Sequence, residues 1–170
     1  MNCRILRTTA LALVLALLSG SVIAQQKTIK DQLVGAWNVV AFERTTPEGK
    51  KILTYGENPK GQIYYGADGR FSAIFLRGDL PKVAANNLAQ ATPEEAKALV
   101  AGTLAYAGTY TVDEANKTIN MRIEASTFPN LAVDQKRVIT SLTANEVKFI
   151  NPAAADGSKI EGTIRRVDPK

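Results

Sequence analysis

From Leu33 to Val167 the chain is cut into short β-prone runs by turn signals at close intervals, and this spacing limits the folds open to it. The clearest unit is GQIYY (Gly61–Tyr65), then Ala67-Asp68-Gly69, then RFSAIFLR (Arg70–Arg77). Asp-Gly between two runs rich in aromatic and β-branched residues predicts a hairpin, because the tight turn needs residues that tolerate positive φ. Further runs lie at Leu33–Glu43, Lys51–Tyr55, Thr103–Val112, Thr118–Ser126, Gln135–Thr143, Glu146–Ile150 and Lys159–Val167. Turns at Pro47-Glu48-Gly49, Gly56 to Gly61, Asp113 to Lys117, Ala144-Asn145 and Asp156-Gly157 punctuate them. Eight or nine strands spaced this closely, most of them joined by tight turns, indicate antiparallel pairing rather than βαβ units. The expected class is therefore all-β, with an antiparallel sheet closed as a barrel or packed as a sandwich.

One segment departs from the pattern. Thr92-Pro93-Glu94-Glu95 predicts a short helix inserted mid-chain and running to about Val100. Thr92 caps the free amides, Pro93 suits the first helical position, and Glu95 completes a capping box. The preceding stretch, Gly78 to Gln90, has little periodicity and reads as a long loop. Loop and helix together either cover the mouth of a barrel or simply cross between strands.

Residues Met1–Ala24 stand outside this domain. Arg4 and Arg7 precede the apolar run Ala10–Leu18, and Ser19-Gly20-Ser21 leads to Val22-Ile23-Ala24. A basic head, an apolar middle and small residues at the third-last and last positions predict a cleaved secretory signal peptide. The apolar run is too short to span a bilayer, which takes about 20 residues. The expected organisation is a signal peptide over 1–24 and one domain over 25–170, in a periplasmic or secreted protein with no membrane span after cleavage. Cleavage would leave 146 residues and remove two arginines and no acid, lowering the net charge from +5 to +3. That length supports one core, and so small a charge, with Arg165-Arg166 the basic cluster that stands out, argues against nucleic acid as a partner. The single cysteine, Cys3, leaves with the signal, so packing without disulfides must hold the fold.

The chain has no histidine. That excludes Ser/His/Asp catalysis, histidine general bases and the commonest metal ligation. No phosphate-binding loop and no acidic cluster points to a cofactor or a metal, so none is expected.

The only tryptophan, Trp37, follows Gly35 by two residues at the start of the first strand. In a small closed barrel the first and last strands lie side by side. Trp37 is then expected to stack on Arg165 or Arg166 of the last strand, a cation–π contact sealing one end. This Gly-x-Trp early with arginine late resembles the calycin superfamily. The blocks LVGAWNVVAFE, TPEGK, NPKGQIYYGADGRFSA, ATPEEAKALV, YAGTYTVDE and EASTFPN, in that order, resemble the bacterial lipocalin-like domain family over Leu33 to Val167. The resemblance implies a lipocalin-like β-barrel whose interior takes a small hydrophobic or amphipathic molecule. Relatives often carry histidine in the strand that here reads NMRIEAS; with Met121 and Arg122 there, no histidine-dependent activity carries over.

Which side chains line the interior depends on which strand faces point inward. In Thr118–Ser126, Ile119, Met121, Ile123 and Ala125 alternate with Asn120, Arg122 and Glu124. Either the aliphatic face is inside, or Arg122 and Glu124 are inside as polar anchors. In the next strand Arg137, Ile139 and Ser141 oppose Val138, Thr140 and Leu142. In Thr103–Val112 the face with Leu104, Tyr106, Tyr110 and Val112 opposes Ala105, Ala107, Thr109 and Thr111. The ligand-binding candidates are Tyr64, Phe75, Tyr106 and Tyr110 as wall, with Arg122, Glu124 or Arg137 at a polar end. An arginine inside would need a carboxylate from the protein or the ligand, because an unpaired buried charge is very costly. The reading is a non-catalytic carrier or sensor. One alternative is a histidine-free isomerase or cyclase using Glu124 with Tyr106 or Tyr110 for proton transfer. The other is a scaffold that binds nothing inside.

Overall fold

The structure is a computed structural model describing residues 27–131, 134–154 and 157–167. The signal segment Met1–Ala24 and the expected new terminus at Gln25 lie outside the described residues. The strands are β1 (Gly35–Thr45), β2 (Lys51–Leu53), β3 (Lys60–Tyr65), β4 (Arg70–Leu76), β5 (Thr103–Asp113), β6 (Thr118–Ser126), β7 (Asp134–Leu142), β8 (Glu146–Asn151) and β9 (Lys159–Arg166). They pair antiparallel in the order β2-β1-β3-β4-β5-β6-β7-β8-β9, and β1 also pairs with β9. Eight strands thus close into a barrel, with β2 as an extra strand.

β1 makes this possible by serving three partners. Gly35–Asn38 pair with β3, Glu43–Thr45 with β2, and Trp37–Thr45 with β9. Register shifts at Val39/Ala41, Ala107/Gly108 and Ile139/Ser141 mark bulges that bend the strands around the barrel.

The alternation of side chains decides what is inside. Ile63 and Tyr65 of β3, Phe71 and Phe75 of β4, Tyr106 and Tyr110 of β5, and Ile119, Met121 and Ile123 of β6 are all buried. Two glycines allow the wall to close on this bulk. A Cβ on Gly108 would stand 1.9 Å from the Arg122 carbonyl oxygen, so β5 and β6 approach closer there than any side chain permits. A Cβ on Gly162 would stand 2.4 Å from the ring of Phe149, its cross-strand partner, which occupies the space the side chain lacks.

The two ends differ. One is plugged by α1 (Ile29–Leu33), a short helix whose capping box joins Thr28 and Asp31. Glu114 at the β5–β6 turn accepts from the amides of Ile29 and Lys30 at 2.8 and 3.1 Å, and Leu33 is driven fully into the core. The sequence reading starts the first strand at Leu33; it ends α1 instead. The other end, the mouth, gathers the β1–β2, β2–β3, β4–β5, β6–β7 and β8–β9 connections, with α2 (Pro93–Gly102) in the long β4–β5 crossing. At its start Thr92 accepts from the Glu95 amide at 3.2 Å while the Glu95 carboxylate accepts from Thr92 and Ala84, each at 2.9 Å. The helix start and the loop before it are thereby fixed together. No helix among the described residues is long and apolar enough to cross a membrane.

Candidate functional site

At the plugged end Trp37 is fully buried, and its Nε1 donates to the Leu33 carbonyl at 2.7 Å. β-Pairing sets Arg166 opposite Trp37, and the guanidinium lies over the indole at 4.1 Å. The same guanidinium donates to the carbonyls of Ala144 (2.7 Å), Val34 (3.0 Å) and Gln32, tying α1 and the β7–β8 turn to the last strand. Arg165, one residue earlier, points to the other face and reaches Glu146 at 3.4 Å. This end is a structural closure.

The chemistry inside the barrel centres on Arg137. Its side chain points inward from β7 and is only 3% exposed. One terminal nitrogen donates to the Tyr106 hydroxyl in a very short contact, the other to the Tyr65 hydroxyl at 3.5 Å, the long limit of such a bond. The guanidinium carbon sits 4.5 Å above the ring of Phe149. Burial opposes the Arg137 charge, but the neighbouring Tyr106 and Tyr65 outweigh it and hold the group above its ordinary pKa. Burial also pushes the Tyr65 hydroxyl up, against the pull of Arg137. Among the described residues no ion pair joins a carboxylate to Arg137.

From Arg137 an aromatic column runs toward the mouth. Tyr106 stacks on Phe75 (centroids 5.7 Å apart, 22° between planes), and Phe75 stacks on Tyr55 (5.4 Å, 15°). Phe42 meets Phe75 edge-on at 4.7 Å. Tyr55 belongs to the turn after β2, and Gly56 beside it holds φ +75°. Burial pushes the Tyr55 hydroxyl far above its usual range. Outside it lies an open cleft of about 470 Å³ lined by Tyr55, Gly56, Glu57, Asn58, Gly78 and Asp79. The column therefore links a surface cleft to a buried cation.

Of the sequence candidates, Phe75, Tyr106, Tyr110 and Arg137 point inward, and the structure brings the first, second and fourth together. Tyr110 lies nearer the plugged end, donating its hydroxyl to the Gly66 carbonyl at 2.8 Å and meeting Tyr65 edge-on. Three candidates do not line the interior. Tyr64 is 53% exposed because Ile63 and Tyr65 on either side take the inward positions. Arg122 and Glu124 lie outside because the aliphatic face of β6 is the buried one. Glu124 there faces Arg70 at 3.7 Å, so the barrel wall separates it from Tyr106 and Tyr110, and the proton-transfer pairing does not assemble. The small residues Ala105, Ala107, Thr109 and Thr111 likewise sit on the outer face of β5, leaving the heavy face inward. Arg122 instead borders an open outer groove of about 410 Å³ across β5, β6 and β7, with Thr111, Asn120 and Lys136.

Tyr55, Tyr65 and Phe149 line the interior without being among the candidates the sequence offers. For Tyr65 and Phe149 a signal existed, since each alternates with an aliphatic residue, Ile63 and Val147, that also faces in. Tyr55 sits in a turn, where no periodicity speaks.

The model of the lipocalin-like domain matches residues 34–166. The chain belongs to the lipocalin-like domain family. No curated protein sequence matches it. Among solved structures, a redesigned β-barrel is similar at 16% identity and a TM-score of 0.46, over 84% of this chain and 98% of that one. A second redesigned barrel, bound to DFHBI, is similar at 16% identity and a TM-score of 0.44, over 82% and 100%. Bovine odorant-binding protein, in complex with a selenium-containing odorant, is similar at 16% identity and a TM-score of 0.42, over 85% and 76%.

Proposed function

We propose that this lipocalin-like protein is exported and takes one small hydrophobic or amphipathic molecule into its barrel through the mouth. The observation that carries the reading is the Tyr55–Phe75–Tyr106 column leading from the mouth cleft to buried Arg137. A barrel of eight strands is about wide enough for its own side chains or one small ligand. Here the interior is filled by aromatic rings on the mouth side, and the outermost, Tyr55, is carried by a turn. Swinging Tyr55 outward opens the column without breaking a strand pair. Leu88, Val100 and Phe128, on the connections of this end, are exposed.

The filled interior also favours a second reading, a scaffold that takes nothing inside. Native mass spectrometry of protein purified from its own host separates the two: a co-purified small molecule supports the binder, and a bare mass in every preparation supports the scaffold. Export rests on the Met1–Ala24 sequence pattern. Protein recovered from the periplasm or medium should begin at Gln25, free or cyclised to pyroglutamate; recovery with Met1 intact would overturn export.

A further inference from the structure

Arg137, Tyr65 and Tyr106 form a cluster composed almost wholly of donors. A guanidinium has five N–H donors and no acceptor. Two of these are met by tyrosine oxygens. Each tyrosine hydroxyl accepts from Arg137, so each keeps its own proton to give elsewhere. Tyr110 shows the contrast, its proton already spent on the Gly66 carbonyl. A buried set with cationic N–H and two O–H groups is complementary to an acceptor carrying negative charge.

The energetics point the same way. Burying an arginine without an anion is strongly unfavourable. Its partners are two phenolic oxygens and the Phe149 face rather than a counter-charge, and the bond to Tyr65 is stretched to 3.5 Å. Replacing a buried charge with an apolar chain of similar volume is often neutral or stabilising, so this charge is better suited to a bound state than to folding. We infer that the ligand is a carboxylate-bearing amphipathic molecule, its carboxylate held by the Arg137 fork and the Tyr65 and Tyr106 hydroxyls and its apolar body lying along the column toward Tyr55. A carboxylate fits on two counts. Its two oxygens match the planar fork, and its single charge neutralises one guanidinium. A phosphate dianion would leave a net negative charge among Phe71, Phe75, Phe149 and Ile63, all buried. This assignment rests on the reading that the barrel takes a ligand.

The test is calorimetric titration of the purified protein with matched probes: decanoate, decanol and decyl phosphate, and naphthoate against naphthylmethanol. In at least one shape, the acid should bind tighter than its alcohol by about tenfold or more, the worth of one charge-assisted hydrogen bond. Arg137→Met should erase that preference while the alcohol still binds, and should hold or raise the unfolding midpoint of the ligand-free protein. Tyr106→Phe, which keeps the ring and the stack, should weaken the acid severalfold and leave the alcohol unchanged. Alcohol and acid binding equally would overturn the carboxylate assignment while the ligand-binding reading stands. Preference for decyl phosphate would overturn it in favour of a dianion. Arg137→Met that lowers the midpoint and spares the acid preference would mark Arg137 as a structural residue and overturn it too. No probe binding in either shape would remove both the assignment and the reading beneath it.

Discussion

Trp37 shows what a single residue carries in this fold. It is fully buried, bonded through its indole nitrogen to Leu33, and covered by Arg166. Truncating it removes a large ring from a place where the strands cannot collapse. Trp37→Ala should therefore lower unfolding free energy by about 3–5 kcal/mol, read from denaturant midpoints; an unchanged midpoint would mean the indole is peripheral. A role for the tryptophan could be read from Gly-x-Trp and the logic of closure. Which arginine meets it could not. Adjacent strand residues face opposite ways, and the choice of Arg166 is made by the Trp37↔Arg166 register, a pairing across almost the whole chain. The same limit hid the Arg137 cluster: Tyr65, Tyr106 and Arg137 stand on three strands, and only closure brings them together.

Elements whose signals are local were legible, and those decided at a distance were not. The β3–β4 hairpin followed from Asp68-Gly69, and α2 from its cap, because both depend on residues within one turn. Thr28 and Asp31 have the same capping spacing at the start of α1, yet a five-residue helix is marginal without the Glu114 clamp and the burial of Leu33. The faces of β5 and β6 were open because alternation fixes which residues share a face and leaves the inward one to the partner strands. The α2 cap makes a direct test. Thr92→Ala should cost about 1 kcal/mol and loosen the loop that Glu95 ties through Ala84. Hydrogen exchange at the Ala84 and Glu95 amides would report it, and unaltered protection at both would show the cap to be idle. Gly108→Ala should be far worse, since its methyl group would meet the backbone of β6 rather than a movable side chain.

At the scale of the whole barrel, the interior is built on tyrosines, and this sets its response to pH. Burial raises Tyr55 and Tyr65 above their ordinary values and pushes Tyr110 up to about 12. A group whose folded pKa is raised contributes stability that is complete below its unfolded pKa, about 10 for tyrosine. It loses that contribution as pH rises toward the folded value. The barrel should therefore weaken progressively on the alkaline side, between pH ~10 and ~12. Tyr110→Phe isolates one share of this loss. At neutral pH the variant should be less stable by about 1 kcal/mol, because the Gly66 carbonyl loses its donor. As pH climbs through the alkaline range, the wild type must either ionise a buried phenol or unfold, whereas the variant is spared that one titration. The gap between their unfolding midpoints should narrow and then reverse. A gap that stays constant from neutral pH to pH ~12 would mean the Tyr110 hydroxyl titrates as it does in the unfolded chain, and that burial does not hold the hydroxyl neutral.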